Sequence, residues 1–267
     1  MEVNKKRIDY KSKNDEYYIV PIGDVHIGNK GCELQRFKDM IQWIKDKPNC
    51  MWLGMGDYID CINYTDKRFD PDTIDKKYLN ELSNCVPMQI QDFIELVRPI
   101  ADKCLGFHRG NHEEKIRLQY HYDVMYELWK EFGKPDLEDS SYTILDFHRC
   151  DKDIQRITIF SMHGCAGGRK GGNKINRLED LIGDHEADIY LIGHSHVKSC
   201  EIKSQLFVDN RCNVKQRKKV LGVTGSFLRG YVQGCSSYIE KAMLPPTDLG
   251  VIRLNIKPFV RDIHVSI

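Results

Sequence analysis

The chain alternates short apolar runs with helix-like segments over most of its length. Strand-like apolar runs lie at 17–22, 51–54, 104–108, 142–147 and 154–162, and again near 187–193, 197–207, 218–225 and 250–256. Between them, apolar residues recur every three or four positions, which predicts helices with one buried face. These residues are Leu34, Phe37, Ile41 and Ile44; Ile90, Phe93, Val97 and Ile100; Met125, Leu128, Trp129 and Phe132; and Ile175, Leu178 and Ile182. The alternation predicts a layered α/β fold, with the later strands in a second sheet.

Length and composition narrow the class of protein. We predict a single domain over residues 1–267, because no repeat, low-complexity linker or clear boundary interrupts the pattern. The 40 basic and 39 acidic residues nearly cancel, so no general attraction to nucleic acid or to a membrane is expected, although a local basic groove stays possible. No apolar stretch reaches the length of a membrane span, and the polar first fifteen residues do not resemble a signal peptide. These features predict a cytoplasmic protein with reduced cysteines.

The stretch LIGHSHV, residues 191–197, offers two imidazoles at the end of an apolar run. Along an extended chain alternate side chains point to the same side, so His194 and His196 would project together. Two imidazoles on one side indicate a metal site. The alternative is a loop that carries two solvated histidines.

Four other apolar runs end in a similar way. They are followed by Asp24 and His26, by Asp57 and Asp60, by Asn111, His112 and Glu113, and by His163. Ligands of α/β sheets bind outside the carboxyl ends of the strands. The five loops therefore predict one shared site at that edge.

The series Asp-x-His, Gly-Asp-x-x-Asp, Gly-Asn-His-Glu, His and Gly-His-x-His, from residue 23 to residue 196, resembles the calcineurin-like metallophosphoesterase superfamily. The resemblance implies a four-layer αββα sandwich with two central mixed β-sheets and a metal site at the carboxyl ends of the strands. The ending Gly-His-x-His is similar to that of repair nucleases and small phosphodiesterases in the superfamily. Cys61 and Ile62 stand where its Ser/Thr protein phosphatases have Arg-Gly.

The resemblance also implies a ligand set for two divalent cations. One cation would take Asp24, His26, Asp57 and His196, and the other Asp57, Asn111, His163 and His194, so that Asp57 bridges. Oxygen and nitrogen ligands without a thiolate suit transition metals, with Mn²⁺ favoured and Fe or Zn²⁺ as alternatives. Taken one at a time, Asp24 could be a turn residue, Asn111 a helix cap and His163 a buried core histidine.

His112 is similar to the histidine of the superfamily that is not a ligand and protonates the leaving group. The predicted helix that begins there would disfavour imidazolium, so a carboxylate is needed beside the ring. We expect Asp60 to be that partner, although it could instead cap a helix or a turn.

Two basic segments are candidates for contacts with substrate. The glycine-rich segment HGCAGGRKGGNK begins at His163 and carries Arg169 and Lys170, which together with Arg117 are predicted to bind substrate. Its alternative is a flexible surface loop. Residues 211–219 are also basic, and either form a solvated hairpin tip or contact nucleic acid.

The predicted reaction is hydrolysis of a phosphodiester by water activated between two metals, with nucleic acid or a nucleotide as substrate. Hydrolysis of a phosphomonoester is the main alternative. A metal-binding scaffold without activity is a more remote one, because every ligand position and the general acid are present. The sequence makes no prediction of an oligomeric state.

Overall fold

A computed structural model describes residues 1–61, 66, 69–150, 153–164, 172–246 and 248–267. The strands within these ranges are β1 (Glu2–Asp9), β2 (Tyr17–Ile22), β3 (Cys50–Gly54), β4 (Cys104–Phe107), β5 (Ser140–Arg149), β6 (Asp153–Met162), β7 (Ile189–Ile192), β8 (Lys198–Val208), β9 (Val214–Ser226), β10 (Gly250–Val251), β11 (Arg253–Lys257) and β12 (Asp262–Ser266). The α-helices are α1 (Leu34–Asp46), α2 (Lys76–Leu79), α3 (Cys85–Val97), α4 (Asn111–Tyr120), α5 (Val124–Phe132), α6 (Gly172–Asp184) and α7 (Tyr238–Lys241).

The described strands form two mixed sheets. The five-stranded sheet has the order β12-β11-β2-β3-β4, in which β2, β3 and β4 are parallel. The seven-stranded sheet has the order β1-β5-β6-β7-β9-β10, and β8 pairs with β9 as well. Because β6, β7 and β9 are parallel to one another, their carboxyl ends share one edge of this sheet.

Three apolar clusters define the layers of the fold. Side chains from both sheets, such as Leu53 and Leu191, pack between the sheets. Helices α1, α3 and α5 cover the outer side of the five-stranded sheet, and α6 covers the outer side of the seven-stranded sheet through Leu178. This arrangement confirms the predicted four-layer αββα sandwich.

The helices follow from their apolar spacing and their ends. In α1, Phe37, Ile41 and Ile44 are buried at the spacing of one helical face. Helix α5 ends at Gly133, whose φ of 58° lies in the left-handed region that glycine tolerates best. The helical pattern that reached Ile100 divides in the structure, because α3 ends at Val97 and a 3-10 helix, Arg98–Lys103, leads into β4.

The sequence pattern missed two edge strands and misplaced one. Strands β1 and β12 are largely polar, and each lies at the outer edge of a sheet, where backbone pairing requires no apolar alternation. Strand β11 was expected in the second sheet but pairs with β2 in the first. Short strands with mixed exposure carry little information about their partners, so only the packing decides this placement.

Two smaller findings complete the description. Within the described ranges no helix has the length and apolar character that crossing a membrane requires. The nine cysteines that the structure describes are all free thiols, four of them buried.

Candidate metal centre

The loops that follow β2 and β7 bring three of the predicted ligands together. Ligand atoms of Asp24, His26 and His196 all lie within 4.8 Å of one another. His196 Nε2 is 3.3 Å from Asp24 Oδ1 and 3.1 Å from His26 Nε2. The backbone N–H of His194 donates to Asp24 Oδ2 at 2.8 Å, which ties the β7 loop to the β2 loop.

A second cluster lies beside the first and combines the loops after β3, β6 and β7. Ligand atoms of Asp57, His163 and His194 are also within 4.8 Å of one another. His163 Nε2 is 3.4 Å from Asp57 Oδ2, 3.2 Å from His194 Nδ1 and 3.2 Å from Asn111 Oδ1. The structure thus gathers the four residues predicted for the second cation.

Asp57 faces both clusters through one oxygen atom. Its Oδ2 lies 3.4 Å from His163 Nε2 and 4.0 Å from His26 Nε2. Its Oδ1 accepts the backbone N–H of His112 at 3.0 Å, which holds the carboxylate in this orientation. This is the position that a bridging ligand would need, and bridging itself stays a prediction.

The chemistry of the donor atoms fits a pair of divalent cations. Asp24 is fully buried, and within the described part of the chain its Oδ1 accepts no well-aligned hydrogen bond, although the His196 ring lies 3.3 Å away. A buried carboxylate oxygen without a partner is costly, and a cation removes that cost. The set consists of carboxylate, amide and imidazole donors without a thiolate, which suits Mn²⁺, Fe or Zn²⁺.

The buried charges depend strongly on one another. Burial opposes the charge on Asp57, but the neighbouring His163 and His112 hold the pKa of its carboxyl well below the ordinary value. Burial likewise opposes the charge on His163, yet Asp57 raises the pKa of this imidazole to about 10. Burial and the charge of His163 lower the pKa of His194 to about 4. Protons and cations therefore compete for the atoms between Asp57 and His163.

His163 is oriented for ligation by its other ring nitrogen. His163 Nδ1 lies 2.7 Å from the backbone carbonyl of Met55, so this nitrogen donates and Nε2 faces Asp57. A hydrogen bond of this kind fixes the tautomer and the ring plane of a metal-binding histidine. The contact also joins the ends of β3 and β6, one from each sheet.

Five of the seven predicted ligands have left-handed backbones. The φ angles are 50° at Asp24, 53° at His26, 53° at Asp57, 63° at His194 and 54° at His196. This conformation is uncommon outside glycine, and it costs of order 1–3 kcal/mol per residue. Such strain concentrates at functional sites, where the surrounding structure imposes it. Beyond the neighbouring glycines, nothing in the sequence indicated it.

Glu113 is a positioning residue whose role the sequence did not reveal. Its carboxylate accepts backbone N–H groups from Asp57 at 3.0 Å, Tyr58 at 2.8 Å, Ile59 at 3.3 Å and Gly110 at 3.0 Å. The side chain is buried, and burial together with the charge of Asp57 raises its pKa to about 7. Glu113 therefore clamps the Asp57 loop to the start of α4. The only sequence signal was a glutamate three positions into a helix, where it can bond the backbone of the cap.

Asp60 holds His112 next to the first cluster with its backbone carbonyl, and its carboxylate lies nearby. The ring Nδ1 hydrogen-bonds the backbone carbonyl of Asp60, and the ring packs edge-on against His26 with centroids 4.7 Å apart. The carboxylate of Asp60 was expected beside His112, and ligand atoms of Asp60, His26 and His112 do lie within 4.8 Å of one another. The Oδ1 of Asp60 is 3.5 Å from His26 Nδ1.

The order of the motifs agrees with a comparison against protein families. A family model for calcineurin-like phosphoesterases matches residues 17–198, well over half of the chain. The chain belongs to the calcineurin-like phosphoesterase family. Members of this family generally bind two divalent metals, which accords with the two ligand clusters. None of the curated proteins compared with the chain matches it in sequence.

Several solved structures are similar in fold to this family member. A conserved uncharacterised protein from Streptococcus pneumoniae, described as a predicted phosphoesterase, is 12% identical, with 91% of this chain and 84% of that chain covered and a TM-score of 0.37. Vacuolar protein sorting 29 from Cryptosporidium parvum is 13% identical, with 94% and 96% covered and a TM-score of 0.42. A metallophosphoesterase from Sphaerobacter thermophilus is 12% identical, with 93% and 87% covered and a TM-score of 0.39.

The structure of this phosphoesterase-family chain describes one of the three residues that were predicted to bind substrate. Arg169 and Lys170 lie outside the described residues, as does most of the glycine-rich segment. Arg117 lies on α4 and donates two hydrogen bonds to Glu114, at 2.8 and 2.6 Å. Its contact with substrate stays a prediction.

The basic run 211–219 lies far from the metal centre. Strand β9 is parallel to β7, so Ser226 lies at the edge that carries His194 and His196, and the β8–β9 turn at 209–213 lies at the other end. Lys219 is buried and donates to the carbonyl of Ala187, whereas Lys218 pairs with Asp262 at 2.8 Å. The run is therefore the tip of a hairpin, and its lysines are partly neutralised.

Proposed function

We propose that this chain is a binuclear metal-dependent phosphodiesterase. The observation that carries the proposal is the pairing of two ligand clusters around Asp57, with the His112 ring packed against His26 beside them. When bound, two divalent cations would supply Lewis-acid activation of a phosphoryl group and of the attacking water. The carboxylates, Asn111 and the imidazoles of the clusters would hold the two cations.

His112 is the proposed proton donor to the leaving oxygen. Because its Nδ1 is engaged by the Asp60 carbonyl, Nε2 is the nitrogen that can give a proton. The backbone N–H of His112 also bonds Asp57, so the ring position is coupled to the cluster. An alkoxide is a poor leaving group, and a positioned acid contributes about 10²–10⁴-fold to the rate of its departure.

A diester is favoured over a monoester by the charge balance of the described residues. A monoester dianion calls for an added cationic side chain, whereas a diester carries a single negative charge. Among the residues that the structure describes, Arg117 was the predicted substrate-binding cation. Its charge is compensated by the ion pair with Glu114. A phosphomonoesterase is the second candidate, because Arg169 and Lys170 follow His163 closely in sequence.

A paired rate measurement tests the proposal. The purified chain, loaded with Mn²⁺, should hydrolyse bis(4-nitrophenyl) phosphate with a kcat/KM at least about tenfold above that for 4-nitrophenyl phosphate. Fe and Zn²⁺ replace Mn²⁺ in parallel reactions. The reverse preference would favour the monoesterase. A folded, metal-loaded protein that is inert on both esters would contradict catalysis and leave a scaffold role.

The natural substrate is proposed to be a nucleic acid or a nucleotide. Single-stranded DNA, duplex DNA and cyclic nucleotides, compared under the same conditions, separate these possibilities. We expect single-stranded DNA to be cleaved faster than duplex DNA, because the chain has a net charge of only +1 to engage a duplex backbone.

A further inference from the structure

A pocket of about 350 Å³ opens outside the ligand clusters. Its walls come from three segments: the start of α1 with Glu33 and Arg36, the loop after β9 with Arg229 and Tyr231, and the stretch before β10 with Asp248. Its volume lies in the range of small-ligand sites, roughly 300–1,000 Å³. None of these residues belongs to the proposed metal centre.

Two sets of contacts link the segments that line the pocket to the segments that carry the first ligand cluster. Ser226 Oγ and the Phe227 N–H both donate to the backbone carbonyl of Asp24, at 2.8 and 3.0 Å. Arg229 follows Phe227 by two residues, at most about 7 Å of extended chain. On the other side Lys198, two residues after His196, pairs with Asp248 at 2.5 Å. The loop after β9 and the start of α1, which follows β2, both lie at the carboxyl ends of parallel strands, the edge that carries the first cluster.

The charged side chains that line the pocket are balanced in number. Arg36 and Arg229 line it together with Glu33 and Asp248, and Lys198, which lies outside the lining, pairs with Asp248. Arg229 Nη2 pairs with Glu33 at 2.7 Å, and Arg36 Nη1 donates to the carbonyl of Leu249 at 2.6 Å. A guanidinium has five N–H donors, so both arginines keep donors for a further anion. Phosphate is the anion whose geometry matches such donors best.

Tyr231 adds an aromatic surface to the same wall. Its hydroxyl donates to the carbonyl of Leu244 at 2.7 Å, which holds the ring in place, and the residue is 41% exposed. Aromatic rings and arginine planes are the groups on which bases of single-stranded nucleic acids stack. Cationic donors and an accessible ring together fit a nucleotide better than a simple anion.

We infer that this pocket binds the nucleotide unit next to the scissile phosphodiester, with Arg229 and Arg36 on its phosphate and Tyr231 against its base. The inference rests on the proposed phosphodiesterase function and specifies its substrate class. It adds a specificity site to a centre that acts on the phosphoryl group alone.

Arg229→Gln tests the phosphate contact, and Arg98→Gln is its matched control. The two arginine side chains are both 52% exposed and each pairs with one glutamate. Arg98 precedes β4, so it lies at the amino end of the strands, away from the metal centre. We compare kcat/KM for single-stranded hexathymidylate with kcat/KM for bis(4-nitrophenyl) phosphate, which carries no neighbouring nucleotide.

The ratio of the two kcat/KM values should fall about 10- to 100-fold in Arg229→Gln through a higher KM for hexathymidylate, as expected for loss of a charge-assisted hydrogen bond. The ratio should stay within about twofold of the wild-type value in Arg98→Gln, because exposed ion pairs contribute little. An equal loss on both substrates in Arg229→Gln, or no loss on either, overturns the inference. Tyr231→Leu should raise the KM for hexathymidylate but not the KM for its abasic counterpart. An equal increase for both substrates would exclude the base contact.

A binding measurement separates this inference from the proposed function. Fluorescein-labelled hexathymidylate is titrated with the full chain in EDTA and followed by anisotropy, which requires no turnover. Weaker binding by Arg229→Gln than by Arg98→Gln supports the pocket even if no ester is hydrolysed. Equal binding by the two variants, or no binding by the wild-type chain, overturns the pocket even if the aryl diester is cleaved.

Discussion

The metal edge and the β8–β9 hairpin are both rich in charged residues, but they treat charge in opposite ways. At the edge, Asp24, Asp57 and His163 are buried and their pKa values move in response to one another. Along the hairpin, the charged side chains other than Lys219 keep contact with solvent, as in the pair of Lys203 with Glu201 at 2.7 Å, and the buried Lys219 bonds Glu186 and the carbonyl of Ala187. A cluster of buried charges that depend on one another, rather than the number of charges, therefore distinguishes the functional region.

The backbone shows the same contrast. The loops at the metal edge hold five predicted ligands at positive φ, whereas the β8–β9 hairpin has one non-glycine residue there, Cys212 in its turn, and its strands pair in continuous antiparallel register from Lys198 to Val208. A strained loop persists only where neighbouring contacts over-determine it. The hairpin needs no such support, since its backbone pairing is regular.

The largest effect should come from Asp57→Asn. An amide supplies one neutral oxygen where the carboxylate faces both clusters, so both cations should bind more weakly. We expect bound metal, measured by mass spectrometry after gel filtration, to fall well below the wild-type content, and diester turnover to fall by more than about 10³-fold. Unchanged metal content would rule out bridging by Asp57 and would weaken the contrast with the hairpin.

His112→Ala should have the next largest effect and should separate chemistry from metal binding. Metal content should stay at the wild-type level while kcat falls about 10²–10⁴-fold. The loss should be smaller for 4-nitrophenyl leaving groups than for alkyl ones, because a stabilised leaving oxygen needs less protonation. The same loss for all leaving groups would exclude the general-acid role.

Glu113→Gln should destabilise the fold through the Asp57 loop. The amide keeps one of the two acceptor oxygens, so buried N–H groups lose partners and the free energy of unfolding should fall by about 2–4 kcal/mol. Glu131→Gln is the control, because Glu131 pairs with Arg98 at the surface and should cost at most about 1 kcal/mol. Equal urea midpoints for the two variants would contradict the clamp.

The smallest effect is expected in the hairpin. Lys218→Ala removes an exposed ion pair with Asp262 and should change the free energy of unfolding by about 0.5 kcal/mol or less. Metal content and diester turnover should stay at the wild-type level. A marked loss of turnover would show that the hairpin serves the reaction and would erase the distinction between the two regions.

Regular apolar spacing was enough to predict most of the fold. The strand at 17–22 and the helix with Phe37, Ile41 and Ile44 appear as expected, because burial of one face imposes a period on the sequence. Strands β1 and β12 could not be predicted this way, since an edge strand pairs through its backbone and may carry polar side chains on both faces. The hairpin of β8 and β9 was expected, but its direction away from the metal edge was not.

The candidate site also has features that the sequence predicted and features that it did not. The five polar clusters at strand ends were visible, because each ligand residue follows an apolar run. The clamp of Glu113 and the carbonyl contact of Asp60 with His112 were not, since both depend on backbone atoms of a distant loop. Backbone donors and acceptors are present at almost every residue, so the sequence does not mark the ones that are used.

The residue types at the ends of the strands could be read from the sequence, and with them the kind of chemistry available: oxygen and nitrogen ligands with a spare histidine. The packing of the two sheets brings Asp24 to His196, turns Asp57 toward both clusters, and forms a separate pocket that Arg229 lines. The physical reason is one of range. Apolar periodicity reports the local burial of one element, whereas ligand distances depend on how two sheets pack, and many different sequences specify the same packing.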